Sequence, residues 1–325
     1  MSETAMRRIA PPLWLLALTV SGVNIGMALL APAIPLLRDD LSASAHEAQL
    51  VLSAFLIMLG LGQLVAGSMS DTLGRRPVLL AGSLLFTVAG AAALISPNIE
   101  LLIVARALQG FGASACMAVG RVIINDSFDK TEAGRQLSTI TMIMAIVPML
   151  GFAGGGLVAD IIGWRGTVGI MVITAGVIFL ANMALLAETN HNRVARAPIL
   201  KVVGVFYLLL RKREFVVHAT SGALLTAAFF ALGGFMPYEF QRLGASATMI
   251  GLLFSITAFC YMSGNNLSRY MGPRLGLERT VFIGGMVSLA AVVMLLALYL
   301  AGLAAALVIA GWLYFFGVAN GLVVA

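Results

Sequence analysis

The stretch Ala48–Ile95 reads AQLVLSAFLIMLGLGQLVAGSMSDTLGRRPVLLAGSLLFTVAGAAALI. Two apolar runs, Ala48–Met69 and Pro77–Ile95, flank a short polar segment carrying Asp71, Arg75 and Arg76. Each run has the roughly 20 residues an α-helix needs to cross a bilayer. Neither shows the two-residue alternation of a membrane β-strand, and in hydrocarbon only helices and closed barrels satisfy every backbone group. The stretch therefore predicts two spanning helices joined by a tight, charged turn.

Working outward with the same measure gives eight further spans: Leu13–Leu37, Leu101–Ile124, Leu137–Ile161, Gly166–Ala187, Phe215–Pro237, Thr248–Leu267, Thr280–Leu300 and Gly302–Ala325. Composition agrees: 60% of the 325 residues are hydrophobic and 10% are charged, against about 25% charged in a soluble domain. The first run, preceded by Arg7 and Arg8, is longer than a secretory apolar region and is followed by many others, so it reads as an uncleaved span.

The net charge of +6 is topological. With the N-terminus in the cytoplasm, Arg7, Arg8, Arg75, Arg76, Arg121, Lys130, Arg135, Arg193, Arg196, Lys201, Arg211, Lys212, Arg213, Arg269, Arg274 and Arg279 lie inside. Only Arg38, Arg165 and Arg242 lie outside, which is the asymmetry of an inside-positive membrane protein and leaves no basic patch for nucleic acid. Cys116 and Cys260 both sit in apolar runs, where thiols act as small hydrophobes. They support neither a disulfide framework nor a metal site. His46, His191 and His218 are scattered and form no nucleophile–base pair with the loop acids, so an enzyme is not expected.

Four segments carry more specific chemistry. Gly67-Ser68-Met69-Ser70-Asp71-Thr72-Leu73-Gly74-Arg75-Arg76 offers a glycine for close helix approach, a second for a tight turn, and charges able to pair or cap a helix end. Arg106-Ala107-Leu108-Gln109-Gly110-Phe111-Gly112-Ala113 places an arginine ~9 Å along a span from Glu100 at 1.5 Å per residue, where it either snorkels or serves a function. Asp126 ends the same span and reads equally as a solvated interfacial charge. Pro148-Met149-Leu150-Gly151-Phe152-Ala153-Gly154-Gly155-Gly156 combines a missing backbone donor with glycines that allow bending and close packing.

Together these segments resemble the motifs of the major facilitator superfamily. The first is similar to G-x-x-x-D-x-x-G-R-R/K, the second to R-x-x-Q-G-x-G-A, and the last to the antiporter motif P-x-x-G-P-x-x-G-G, with Phe152 in place of its second proline. Gly264-Asn265-Asn266-Leu267-Ser268-Arg269, followed by Gly276, resembles a segment of Bcr/CflA-like drug:proton carriers and the counterpart of the loop at Gly67. The resemblance implies gating roles for Gly67, Asp71, Gly74, Arg75 and Arg76. It further implies proton coupling or gating by Arg106 with Gln109 and Gly110, a relay from Arg75 to Asp126, and helix packing by Pro148, Gly151 and Gly155.

The implied architecture is an all-α membrane protein of the major-facilitator fold: a six-helix bundle over 1–187, a basic cytoplasmic linker over 188–214, and a second bundle over 215–325 with four helices. A chain cut short at its C-terminus is one expectation and a natural ten-span form the other. The implied function is export of drugs or small amphipathic solutes across the bacterial inner membrane by alternating access. It would use the proton gradient and no cofactor. The alternatives are a small-metabolite carrier and an inactive remnant. Implied partners are a small solute and the lipid bilayer, and no residue pattern specifies an oligomer.

Span one departs from the family. Pro32-Ala33-Ile34-Pro35 matches its P-A-x-P motif, but the acid four residues earlier is replaced by Ala28. Asn24 can contact substrate without carrying a proton, and an interfacial acid such as Glu239 is an alternative route for coupling.

Overall fold

The computed structural model describes residues 10–190, 204, 207–302 and 306–324. Most of the expected linker, with His191, Arg193, Arg196 and Lys201, lies outside the described residues, as do Arg7 and Arg8. Every element among the described residues is helical: α1 (Leu13–Ala28), α2 (Ile34–Asp40), α3 (Ala45–Leu73), α4 (Arg75–Leu94), α5 (Ile99–Ser127), α6 (Lys130–Ile162), α7 (Trp164–Leu185), α8 (Arg213–Arg242), α9 (Ala247–Leu275), α10 (Leu277–Leu300) and α11 (Ala306–Val324). Among the described residues, nine helices are long and apolar enough to cross a membrane, with α1 and α2 counted as one span; the apolar part of α11 is shorter. A 29-residue helix such as α3 is ~44 Å long, beyond the ~30 Å hydrocarbon core.

The helices outrun the apolar runs because their ends are capped by polar residues. Ser44 opens α3 with a reciprocal capping box: its hydroxyl accepts from Glu47 N–H at 3.2 Å, while the Glu47 carboxylate accepts from Ser44 N–H at 2.8 Å. Asn98 caps α5 by accepting from Leu101 N–H at 3.0 Å. The first span, expected as one helix, is broken. Residues Ala31–Ala33 form a 3-10 turn between α1 and α2, because Pro32 and Pro35 donate no hydrogen bonds to the carbonyls one turn earlier. Pro148, by contrast, sits within an unbroken α6, and Pro237 within an unbroken α8.

By packing, the described residues fall into two compact units. One comprises those of Met1–Gly26, Asp40–Val147 and Val168–Tyr207. Its core gathers Leu15, Leu16, Val20, Leu79, Val119 and Ile123. Here α5 lies against α3 and α4 at glycines. A Cβ on Gly110 would fall 2.9 Å from the Phe55 carbonyl carbon, and one on Gly82 2.8 Å from the Gly112 carbonyl oxygen. Small residues of this kind let membrane helices approach to backbone contact.

The other unit comprises Met27–Asp39, Pro148–Thr167 and the described residues of Leu208–Ala325. Its core is built on Phe240, Ile250, Phe254 and Leu313. Again glycines set the contact: a Cβ on Gly264 would lie 2.8 Å from the Val318 carbonyl carbon, and one on Gly321 2.7 Å from Asn265 N. Along α10, Phe282, Met286, Leu289, Val293 and Leu296 form an exposed apolar stripe. In water such a surface would be an interaction patch, whereas hydrocarbon leaves it at no disadvantage.

Candidate functional site

The turn between α3 and α4 consists of one residue, Gly74, at φ 108. A side chain is strained at that φ, so the position requires glycine. The turn presents Arg75 inward, 8% exposed, where its guanidinium joins three acceptors. Nε donates to Asp126 of α5 at 2.8 Å, while Nη1 donates to Ser70 Oγ at 2.8 Å and to the Asp71 carboxylate. The expected pairing of Arg75 with Asp71 and Asp126 is thus present in the geometry. Charge-assisted bonds of this kind are the strong ones.

Two residues beyond α7 complete the arrangement, and sequence reasoning missed both. Glu188 Oε1 accepts from the Arg75 backbone N–H at 2.9 Å, occupying an otherwise orphan donor at the start of α4. Asn190 Nδ2 donates to the carbonyls of Ser70 (3.2 Å) and Asp71 (3.1 Å) in the last turn of α3. Arg76 Nη2 donates to the Met183 carbonyl at 3.0 Å. The segment after α7 therefore caps both helices that meet at Gly74. The available signal was an acid placed immediately after a long apolar run, which the linker assignment absorbed.

Gly67 differs from expectation. Among the described residues nothing lies within 4 Å of where its Cβ would be. The close approach of α3 falls five residues earlier, at Gly62, where a Cβ would meet Ser114 Cβ at 2.8 Å. The periodicity of an apolar helix does not distinguish the two faces by hydrophobicity, so the contact glycine was not legible.

Arg106 is fully buried and does not snorkel. Its Nη1 donates to Gln109 Oε1 at 2.6 Å, its Nε faces the Val51 carbonyl at 3.4 Å, and its guanidinium lies over the Phe55 ring, 4.4 Å from the centroid. Gln109 is fully buried as well, with its Nε2 beside Gly90 of α4, where a Cβ would come within 2.7 Å. Among the described residues, Arg106 Nη2 and Gln109 Nε2 have no hydrogen-bond partner. Buried donors of this kind call for an acceptor such as an ordered water. Gly110 brings this turn of α5 against the Phe55 backbone.

The Pro148–Gly156 segment of α6 has glycines on two sides. On one, a Cβ at Gly151 would fall 2.7 Å from Ala28 Cβ, and one at Gly155 2.6 Å from Leu29 Cα. On the other, Gly156 meets the backbone of Ala247. Phe152, standing where the family has proline, packs on Phe254 with ring centroids 5.3 Å apart, and its carbonyl adjoins Gly251. Pro148 is half-buried, as is Asn24 on α1, and no polar contact of Asn24 enters the networks above. Glu239 is buried and pairs with Arg242 (2.9 Å) on the same helix. A second buried polar pair was also missed: Asn182 Nδ2 donates to Thr19 Oγ1 at 2.7 Å. A polar residue inside an apolar span was the signal for it.

Gly276, at φ 86, joins α9 to α10 as Gly74 joins α3 to α4. The turn expected as the counterpart of the first loop has the same one-residue construction.

Over 270 residues the chain is 33% identical to the uncharacterized MFS-type transporter YdgK of Bacillus subtilis, covering 81% of this chain and 66% of that protein. Over another 270-residue alignment it is 30% identical to a chloramphenicol resistance protein of Pseudomonas aeruginosa, covering 80% of this chain and 62% of that one. The matched stretch thus spans about two thirds of the length of these relatives. The fold is similar to that of the xylose transporter XylE from E. coli in a partially occluded inward-open conformation, with a TM-score of 0.72, 14% identity, and 95% and 83% of the two chains covered. A family model described as Major Facilitator Superfamily matches residues 16–325, and the chain belongs to that superfamily.

Proposed function

We propose that this chain is a secondary carrier of the Bcr/CflA-like type, exporting drugs or other small amphipathic solutes by alternating access and drawing on the proton gradient. The observation that carries the reading is its 30% identity to a chloramphenicol resistance protein over most of its length. The geometry supports a moving part. At their ends, Arg75, Asp71, Asp126, Glu188 and Asn190 tie three helices and one chain segment together through polar side chains. Such contacts can exchange partners in discrete steps. The bacterial relatives and the distribution of basic residues support an inner-membrane location with a cytoplasmic N-terminus.

The coupling residue in this reading does not sit at position 28. Ala28 is buried beside Gly151 and carries no titratable group. Glu239, buried beside Arg242, is the proposed alternative. The test is export of chloramphenicol and of a fluorescent cationic dye from cells expressing the chain, with and without a protonophore. Protonophore-sensitive export that is lost in Arg106→Ala supports the reading; inserted protein that moves neither solute removes it.

A further inference from the structure

Asp160 lies in the last turn of α6, and neither the motifs nor the proposed function assigns it a role. Its Oδ1 accepts from the backbone N–H of Ala247 at 3.1 Å, and its Oδ2 from that of Thr248 at 2.8 Å and from the Thr248 hydroxyl. Ser246 Oγ takes the next donor, Met249 N–H, at 3.2 Å. All three backbone donors in the first turn of α9 are therefore occupied, two of them by a carboxylate from another helix. A negative charge there also meets the positive end of the helix dipole.

Below this cap, α6 and α9 run antiparallel in close contact. Gly156 meets Ala247, Phe152 meets Gly251 and Phe254, and Ser255 Oγ donates to the Met149 carbonyl at 2.6 Å. Most of these are small-residue or apolar contacts, held by close packing without a hydrophobic driving force in a lipid surround. The contacts at Asp160 are of another kind. They are charge-assisted, they converge on one side chain, and they are all lost together when α6 and α9 part.

We propose that Asp160 is a gate residue: its carboxylate latches the end of α6 to the start of α9, and release of that latch is the step that opens the carrier at this end. The proposal rests on the alternating-access reading, and it makes Asp160 a positioning residue that sets the balance of two states without touching the solute.

The test is a distance measurement on the full chain in proteoliposomes, with Cys116 and Cys260 changed to serine. Spin labels go at Ile162 and Met249, whose side chains are exposed. The unsubstituted chain should give one short, narrow distance. Asp160→Ala should add a longer one, raising the ratio of separated to latched molecules about tenfold or more, as loss of a charge-assisted hydrogen bond implies. Thr248→Ala, which keeps both backbone donors, should shift it less. A distribution for Asp160→Ala that superimposes on the unsubstituted chain overturns the proposal. If that variant does not insert, Asp160→Asn takes its place: a smaller shift in the same direction supports the latch, and no shift overturns it. No solute is needed, so the latch can fail while export is observed, and export can fail while the latch is observed.

Discussion

Arg75 Nε and the Asp126 carboxylate stand 2.8 Å apart, although 51 residues separate them in the chain. The pair joins the start of α4 to the end of α5, and the other side of the same guanidinium holds Asp71 and Ser70 in the last turn of α3. One buried cation thus fixes three helix ends. In a double-mutant cycle of Arg75→Gln and Asp126→Asn, read by thermal unfolding in detergent, the coupling should be about 1–3 kcal/mol. Additive effects would show that the two act independently.

Glu188 and Asn190 act on backbone rather than on charge. Glu188→Ala should leave the Arg75 N–H unpaired at a cost of about 1 kcal/mol, as for other lost helix caps. Hydrogen exchange at residues 70–76 should accelerate roughly fivefold, which is that free energy expressed as a rate ratio. Exchange in α10, whose residues belong to the other compact unit, should not change.

The glycines divide into two kinds. Gly110→Ala drives a methyl group into the Phe55 backbone and should destabilise by ~1–3 kcal/mol, as overpacking does. Gly67→Ala meets open space in the middle of helical chain and should be neutral or stabilising by up to ~1 kcal/mol. Thermal unfolding of the two variants side by side is sufficient, and equal losses would contradict the contact assignment.

At Gln109 the arrangement depends on what Gly90 lacks. Gly90→Ala should push the amide off Arg106, lowering stability by ~1–3 kcal/mol and transport with it. Arg106→Lys should not restore function lost in Arg106→Ala, because an ammonium cannot both reach Gln109 and lie flat on Phe55. Solute export measured per inserted molecule checks both.

Ala28→Asp introduces the acid that the family resemblance implies, at a position that is buried. A carboxylate there would leave water without a partner. The amount of inserted protein should fall several-fold instead of transport rising, as quantitative blotting of membranes would show.

The spans and the turn at Gly74 were legible because each rests on composition or on a backbone requirement that only glycine meets. Asp71 and Arg75 were legible as charges flanking one tight turn, whereas the tie from Arg75 to Asp126 was implied by the family resemblance, since Asp126 alone reads equally as a solvated interfacial charge. Glu188, Asn190, Asp160 and Asn182 were not. Each is a single polar residue inside an apolar helix, at its end or in the segment just after it, and its partner lies on another helix at no fixed separation. The contact glycines were hidden for a related reason. In hydrocarbon both faces of a helix are apolar, so the periodicity that marks a buried face in a soluble protein carries no signal. The broken first span was written in Pro32 and Pro35, whose effect on the backbone outweighs the unbroken apolar run around them.

Gly74, Gly163 and Gly276 each stand alone between two long helices, at φ 108, 84 and 86. A one-residue joint has no slack, so a tilt of one helix is delivered to the next without lost motion, as in a folding ruler rather than a rope. The same property sets where the chain can be lengthened. An added residue at any of these joints must either rotate the following helix about its axis or unwind its first turn, so tags and fluorescent inserts belong in the longer connection at 41–44 and should abolish assembly at the three glycines.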